Sequence, residues 1–190
     1  MRLSSHQGNV LTRPGREVLR GIPKWVFLAF LVPGVFVLSS CEESIPSEIE
    51  THFCHGARGM CSEILIGHIE SATSTLECAV YTFTLEPVAE ALADAASRGV
   101  SVWVVVEKDQ EAPKVTSILQ QDGVFVRKDG NADLMHHKFM VIDGNHVVTG
   151  SYNWTYSADN KHDENLQVIH SSGVAGLYQE EFQRLWGEGN

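Results

Sequence analysis

The sequence predicts an α/β domain in which a mixed β-sheet lies between helical layers. Two observations carry this prediction. From about residue 52 onward, short apolar segments rich in β-branched residues alternate with segments whose apolar residues recur at helical spacing. The segment 52–190 is also long enough for one domain with one hydrophobic core.

The same periodicity predicts each element in turn. Gly99 and Gly123 each follow an apolar helical stripe and predict where two helices end. The turn Asp143-Gly144-Asn145 separates two strand-like segments and predicts a hairpin. The predicted strands lie near residues 76–83, 100–106, 124–126, 137–142, 146–149 and 165–169, and the predicted helices near residues 62–72, 86–98, 113–121 and 174–186.

Reactive polar residues surround the predicted hairpin. Because side chains alternate along a strand, His136 and Lys138 are expected on one face, about 7 Å apart along the strand, and His137 on the other face. The returning strand brings Ser151 and Asn153 near the same end. An imidazole, an ammonium group and neutral donors suit a phosphorus centre, whose oxygens carry negative charge. The cluster predicts a site that cleaves phosphodiester bonds; the alternative is a hairpin with incidental polar residues.

This stretch resembles the signature of the phospholipase D superfamily. His136, Lys138 and Asp143 match its His-x-Lys-x-x-x-x-Asp pattern, and a Gly-Ser-x-Asn segment (150–153) and Glu164 follow as in the family. The resemblance implies a phospholipase D-like fold. The compact, single-motif length is most similar to the small bacterial endonucleases and the mitochondrial cardiolipin hydrolases of the superfamily.

The resemblance also implies a role for each site residue. His136 would attack phosphorus and form a covalent phosphohistidine. Lys138 and Asn153, assisted by Ser151, would bind the non-bridging phosphate oxygens. Glu164 would accept a ring N–H of a histidine and so set its tautomer.

Three further residues of this stretch are assigned in the same way. Asp143 belongs to the candidate catalytic set as part of the signature, although its position at the strand end favours a structural role. Asp163 is adjacent to Glu164, but the family spacing favours Glu164. His137 is expected to be a packed or capping histidine. No metal or other cofactor is expected, because a two-metal site needs clustered carboxylates and the motif holds mostly basic and neutral groups.

A single copy of the motif predicts a homodimer. The resemblance covers about residues 52–187, and this span contains one His-x-Lys and no internal repeat. The family's chemistry uses two histidines, one to attack phosphorus and one to protonate the leaving oxygen and then activate water. The second histidine must therefore come from another subunit, most simply across a two-fold axis that runs through one shared active site.

Residues 1–41 are predicted to be a signal peptide, a lipoprotein signal or an N-terminal anchor. Residues 1–24 hold five Lys/Arg and one acidic residue, and the apolar run 25–38 follows, which is short for a spanning helix. Leu38-Ser39-Ser40-Cys41 resembles a bacterial lipobox, in which Cys41 becomes the lipidated N-terminus. Ordinary secretion and an uncleaved anchor are the alternatives. Each of the three predicts an exported or membrane-anchored protein.

An acidic tether is expected to connect this unit to the catalytic domain. Residues 42–51 contain a proline and several carboxylates, and they look too polar to pack. The catalytic domain is then predicted to cover residues 52–190.

The remaining cysteines allow more than one interpretation. Cys54 and Cys61 flank a glycine-rich loop and are a candidate disulfide in an oxidising compartment. Zinc is the alternative, because His52 and His55 lie beside Cys54 and the cardiolipin hydrolase relatives carry a Cys/His zinc element in this region. The spacing does not form a CxxC pair, however. Cys78 is expected to be a buried free thiol.

Charge is the main sequence clue to the substrate. The chain carries a net charge of -10, and residues 42–190 hold nine Lys/Arg against 23 Asp/Glu. Proteins that grip nucleic acid usually show a basic field. The acidic domain and the predicted anchor together favour phospholipid as the substrate. A nucleic acid remains the alternative, because the compact members include endonucleases, and a binding module without activity is a third interpretation.

Overall fold

A computed structural model describes residues 49–56, 60–110, 112–121 and 123–189 of the chain. The predicted signal or anchor segment 1–41, including Cys41, lies outside the described residues, as do residues 42–48 of the predicted tether. Among the helices that are described, none has the length and the apolar character needed to cross a membrane.

Twelve elements make up the described part of the chain. The strands are β1 (Ile49–His55), β2 (Thr75–Val80), β3 (Ser101–Val106), β4 (Phe125–Lys128), β5 (Lys138–Ile142), β6 (His146–Gly150) and β7 (Asp163–His170). The helices are α1 (Met60–Ser71), α2 (Glu86–Ser97), α3 (Pro113–Gln121), α4 (Tyr156–Lys161) and α5 (Ser172–Glu188). All except β1 and α4 correspond to predicted elements.

The strands form one mixed sheet in the order β1-β7-β6-β5-β2-β3-β4. β2, β3 and β4 run parallel to one another, and the remaining neighbours are antiparallel. One core, which includes Leu65, Leu92 and Met140, lies between the sheet and α1, α2 and α3. A second core, which includes Phe139 and Phe182, lies between the sheet and α5. The predicted mixed sheet between helical layers is confirmed. Among the described residues, helix α5 forms the second layer.

Strand β1 corrects the predicted limit of the acidic tether. Residues 49–51, assigned to the tether, belong to a strand that pairs antiparallel with β7 along its whole length. Polarity did not prevent this pairing, because an edge strand needs backbone partners more than an apolar face. Two of its polar side chains have close partners: the Glu50 carboxylate lies 2.7 Å from His170 Nε2, and His55 Nδ1 lies 3.2 Å from Asp163 Oδ1.

The short helix α4 was not predicted, because six residues are too few to show a helical period. Thr155 caps it by accepting a hydrogen bond from the Ala158 amide at 3.1 Å. Asp159 is buried and accepts hydrogen bonds from the Ser62 amide and the Tyr152 hydroxyl, both at 3.0 Å. These contacts attach the chain that follows Asn153 to the start of α1.

The cysteines connect β1 to α1. Cys54 and Cys61 form a disulfide with their Cα atoms 5.7 Å apart, so both sulfurs of the candidate pair are bonded to each other. Cys78 is a buried free cysteine on β2, and burial raises the pKa of its thiol well above the usual range, assisted by the nearby Glu77 carboxylate. A thiol in this state is a packing group and a poor nucleophile.

The strand directions bring the motif to one end of the sheet. Val80, at the end of β2, pairs with Lys138, at the start of β5. Gly150, at the end of β6, pairs with Leu166 near the start of β7. Ser151 and Glu164 therefore lie at the same end as Lys138, which we call the motif end; the opposite one is the far end.

Candidate active site

His136 and Lys138 meet at the motif end. Lys138 Nζ lies 3.3 Å from each ring nitrogen of His136 and donates a hydrogen bond to the His136 carbonyl at 2.9 Å. His136 is exposed to solvent, whereas Lys138 is half-buried at the start of β5. An ammonium group beside an accessible imidazole can neutralise an anion that the imidazole attacks.

The electrostatic setting of Lys138 favours contact with an anion. Burial lowers the pKa of its ammonium group, and the nearby Glu164 carboxylate opposes this effect by raising it. A partly desolvated ammonium group has lost some of its water, so a phosphate oxygen placed beside it interacts with less screening.

His137 points away from this cluster, as strand alternation predicts. Its Nε2 lies 3.0 Å from Glu181 Oε1 on α5, and its ring packs edge-on against Phe139 with a centroid separation of 5.6 Å. The two adjacent histidines thus occupy different environments, and only His136 shares the cluster of Lys138.

Ser151 and Glu164 form a hydrogen-bonded pair at the motif end. The Ser151 hydroxyl donates to Glu164 Oε2 and accepts from the Asn165 amide at 3.1 Å. The other carboxylate oxygen of Glu164 lies 3.5 Å from His162 Nδ1. The sequence interpretation placed Glu164 against a catalytic histidine; within one chain its histidine partner is His162. Because the Ser151 hydroxyl donates its proton to Glu164, that proton is not available for a second hydrogen bond.

Asn153 carries an unused hydrogen-bonding atom. Its Oδ1 is buried and has no hydrogen-bond partner among the described residues. Buried polar atoms without partners are uncommon and mark places where a ligand or water completes the bonding. The position of Asn153, two residues after Ser151, is compatible with its predicted contact to substrate.

Asp143 is placed apart from the other signature residues. It follows the last residue of β5, at the far end of the sheet, whereas His136 precedes the first. Its carboxylate accepts hydrogen bonds from the Thr73 amide and hydroxyl and from the amides of Ser74 and Thr75, at 2.7–2.9 Å. Asp143 thus holds the loop between α1 and β2, in agreement with a structural role and not with membership of the catalytic set.

Two residues that contact the motif were not identified from the sequence. The Tyr81 ring lies 4.5 Å from the His136 ring, and Lys138 Nζ lies 5.0 Å from the Tyr81 ring centroid. The buried Glu107 carboxylate accepts a hydrogen bond from the Met135 amide at 2.7 Å, directly before His136. Tyr81 and Glu107 each directly follow the C-terminal end of a central strand, β2 or β3. Residues at this position converge with those of neighbouring strands, and this is the sequence signal that could have identified them.

Gly150 is required by close backbone packing. A Cβ atom on Gly150 would lie 2.1 Å from the Asn165 carbonyl oxygen, which accepts a hydrogen bond from the Ser151 amide at 3.2 Å. Any side chain would therefore push β6 away from β7 at the position where Ser151 and Glu164 meet. This contact explains the glycine of the Gly-Ser-x-Asn segment.

We expect Gly150→Ala to lower the free energy of unfolding by about 2 kcal/mol, because the added carbon forces the two strands apart. The variant should also lose activity, since Ser151 and Glu164 move. Gly67→Ala is the matched control: no heavy atom would lie within 4 Å of the new Cβ, so its stability should not fall. Urea unfolding of both variants checks the prediction, and equal stability of the two would contradict it.

Comparisons with known proteins agree with the motif. The family described as "Cardiolipin synthase, PLD-like domain" matches residues 65–186. The protein of Xenopus tropicalis named mitochondrial cardiolipin hydrolase is 41% identical over 119 residues, which are 62% of this chain and 57% of that relative. A Rickettsia prowazekii protein named phospholipase D is 30% identical over 141 residues, which are 73% of this chain and 68% of that protein. The chain thus spans little more than half the length of the Xenopus relative.

A solved structure shares the fold. Nuc of Salmonella typhimurium, a phospholipase D family member, superimposes with a TM-score of 0.69 at 27% sequence identity. The match covers 75% of this chain and 97% of that chain.

Proposed function

This chain belongs to the phospholipase D superfamily, and on that premise we propose that it hydrolyses phosphodiester bonds through a phosphohistidine at His136. The observation that carries the proposal is the pairing of an exposed imidazole with the half-buried Lys138 ammonium group, 3.3 Å apart, at an open end of the sheet. No cofactor takes part in this scheme, because imidazole supplies both the nucleophile and the proton transfers.

The reaction takes place in two displacements. A ring nitrogen of neutral His136 attacks phosphorus, the bond to the leaving oxygen breaks, and a second histidine donates a proton to that oxygen. The same second histidine then removes a proton from water, and the resulting hydroxide displaces His136 from phosphorus. Lys138 and Asn153 bind the non-bridging oxygens in both steps. Ser151 holds Glu164 in position, and Glu164 in turn orients a catalytic imidazole.

We propose that the second histidine is His136 of a second copy, in a homodimer with one shared site. The single motif supports this, because the scheme needs two histidines and the chain offers one His-x-Lys. Light scattering should give about twice the mass of one chain. A fully active monomer would refute the shared site.

Phospholipid head groups are the proposed substrate class. Two relatives are named for lipid hydrolysis, cardiolipin hydrolase and phospholipase D. Residues 42–190 are strongly acidic, and this opposes binding of a polyanion such as nucleic acid.

We also propose that the N-terminal segment brings the enzyme to a membrane through lipidated Cys41. Cys41→Ser should then release the protein from the membrane fraction.

One experiment separates the substrate classes. The purified full chain, with EDTA present, is assayed on phosphatidylcholine, on cardiolipin and on single-stranded DNA side by side. The proposal predicts head-group release or cardiolipin cleavage without added metal. DNA cleavage with no lipid hydrolysis would assign the chain to the nucleases of the family, and a need for added divalent metal would contradict the phosphohistidine scheme. Absence of hydrolysis on all three would favour a binding module.

A further inference from the structure

Exposed apolar side chains are concentrated at the motif end of the sheet. Seven large apolar side chains are exposed within the described residues, and two of them, Ile49 and Phe125, lie at the far end. The other five lie at or beside the motif end: Phe53, Met60, Leu134, Tyr156 and Leu177. We propose that this end of the protein docks on the surface of a phospholipid bilayer, so that lipid reaches His136 from the membrane. This inference rests on the proposed function and assigns the surface by which the enzyme would bind its lipid substrate.

Two of these side chains belong to the loops that carry the motif. Leu134 is exposed two residues before His136, while the next residue, Met135, is buried and held by Glu107. Tyr156 follows Trp154, whose backbone bonds to Thr82 and Thr84 just beyond the end of β2. Hydrogen bonds at neighbouring residues thus attach the chain next to each exposed side chain to the rest of the fold.

Two more lie on β1 and on α5. Phe53 on β1 pairs in register with Asn165, the neighbour of Glu164. Leu177 on α5 lines a cleft of about 290 Å³ beside Lys138, together with Phe139 and Tyr178. The cleft is mainly apolar and lies on the face of the sheet that α5 covers, beside the strand that carries Lys138.

The chemistry of this rim favours a bilayer over the other occupants. Leucine and aromatic side chains at the rim of a site are the groups that enter the interfacial layer of a membrane. A nucleic acid would instead need several cations around the site. The chain outside the described residues supports the same occupant, because the predicted signal or anchor segment ends at Cys41 and only seven residues separate it from Ile49. Those seven residues span up to roughly 25 Å when extended, comparable with the length of a seven-residue strand, about 23 Å, so an anchored chain can reach the bilayer with its motif end.

Two pairs of substitutions test the proposal in the full chain. The motif-end pair is Phe53→Ser with Leu134→Ser, whose side chains are 63% and 50% exposed. The far-end pair is Ile49→Ser with Phe125→Ser, at 54% and 56%. Each pair removes one phenyl ring and one aliphatic side chain of similar exposure, and each includes a residue of β1. None of the four residues belongs to the catalytic cluster.

Each protein is assayed on a short-chain phosphatidylcholine below its micelle concentration and on vesicles of long-chain phosphatidylcholine. We expect the motif-end pair to keep its rate on the soluble lipid and to lose about tenfold or more on vesicles. The far-end pair should keep both rates. Light scattering on all proteins records the subunit mass.

Three outcomes would overturn the inference, and they are distinguishable. Equal rates of the two double variants on vesicles would contradict docking of the motif end on a bilayer and would leave the proposed function intact. Loss of both rates together with a halved mass would show that the rim is an interface between copies. Failure of the unsubstituted protein on both lipids would refute the phospholipase function, and with it this inference.

Discussion

Replacement of His136 by alanine is expected to reduce phosphodiester hydrolysis by about four orders of magnitude or more, because the covalent route loses its nucleophile. The side chain is exposed and makes ring contacts with Tyr81 and Lys138. Its removal should therefore leave the fold intact. Steady-state rates on the best substrate, with urea unfolding as the measure of stability, check both expectations together.

The adjacent histidine supplies the matched control. His137→Ala removes the same side chain one residue along the chain, where the imidazole contacts Glu181 and Phe139. This variant should keep most of its activity. Acid quenching of the unsubstituted enzyme during turnover should trap phosphorus on His136, and mass spectrometry would locate it. Comparable losses in the two variants, or an adduct on another residue, would contradict the assignment.

The second large effect concerns stability and the other end of the same motif. Asp143→Ala is expected to lower the free energy of unfolding by about 3 kcal/mol, because four hydrogen bonds to a carboxylate are lost at once. Activity per folded molecule should change little, since Asp143 lies at the far end of the sheet. Asp143→Asn keeps one acceptor and tolerates the left-handed backbone at this position (φ 51°), so its loss should be smaller. A large fall in kcat with unchanged stability would contradict this assignment.

The same carboxylate predicts a dependence on acid. Burial raises the pKa of Asp143, but the hydrogen bonds from Thr75, Thr73 and Ser74 outweigh it and hold the pKa below the usual value. As the pH falls, Asp143 is therefore protonated at a higher pH in the unfolded chain than in the folded protein. The stabilisation is complete above the usual carboxyl pKa of about 3.9 and is lost as the pH falls through the lower pKa of the folded state. The difference in unfolding free energy between the unsubstituted protein and Asp143→Asn should shrink from pH 7 to pH 3.

Local patterns in the chain were sufficient for most elements and for the central pair of the site. Alternation along one strand put His136 and Lys138 on one face and His137 on the other, and this needs only the geometry of that strand. Helices α2 and α5 carry enough turns to reveal their apolar stripes. The strand β1 and the helix α4 were not predicted. The strand is too polar to show an apolar face, and the six-residue helix is too short to show a helical repeat.

Only the tertiary structure decided which distant residues meet. The sheet order places Tyr81 beside His136 and the loop of Thr73 beside Asp143, and it gives Glu164 the partners Ser151 and His162. The same order gathers the exposed apolar residues at one end of the sheet. Periodicity describes which face a side chain takes within its own element, whereas strand order and register arise from packing of the whole core. The sequence by itself therefore determined which reactive side chains share one face of the motif strand, and the assembled sheet decided their neighbours and surroundings.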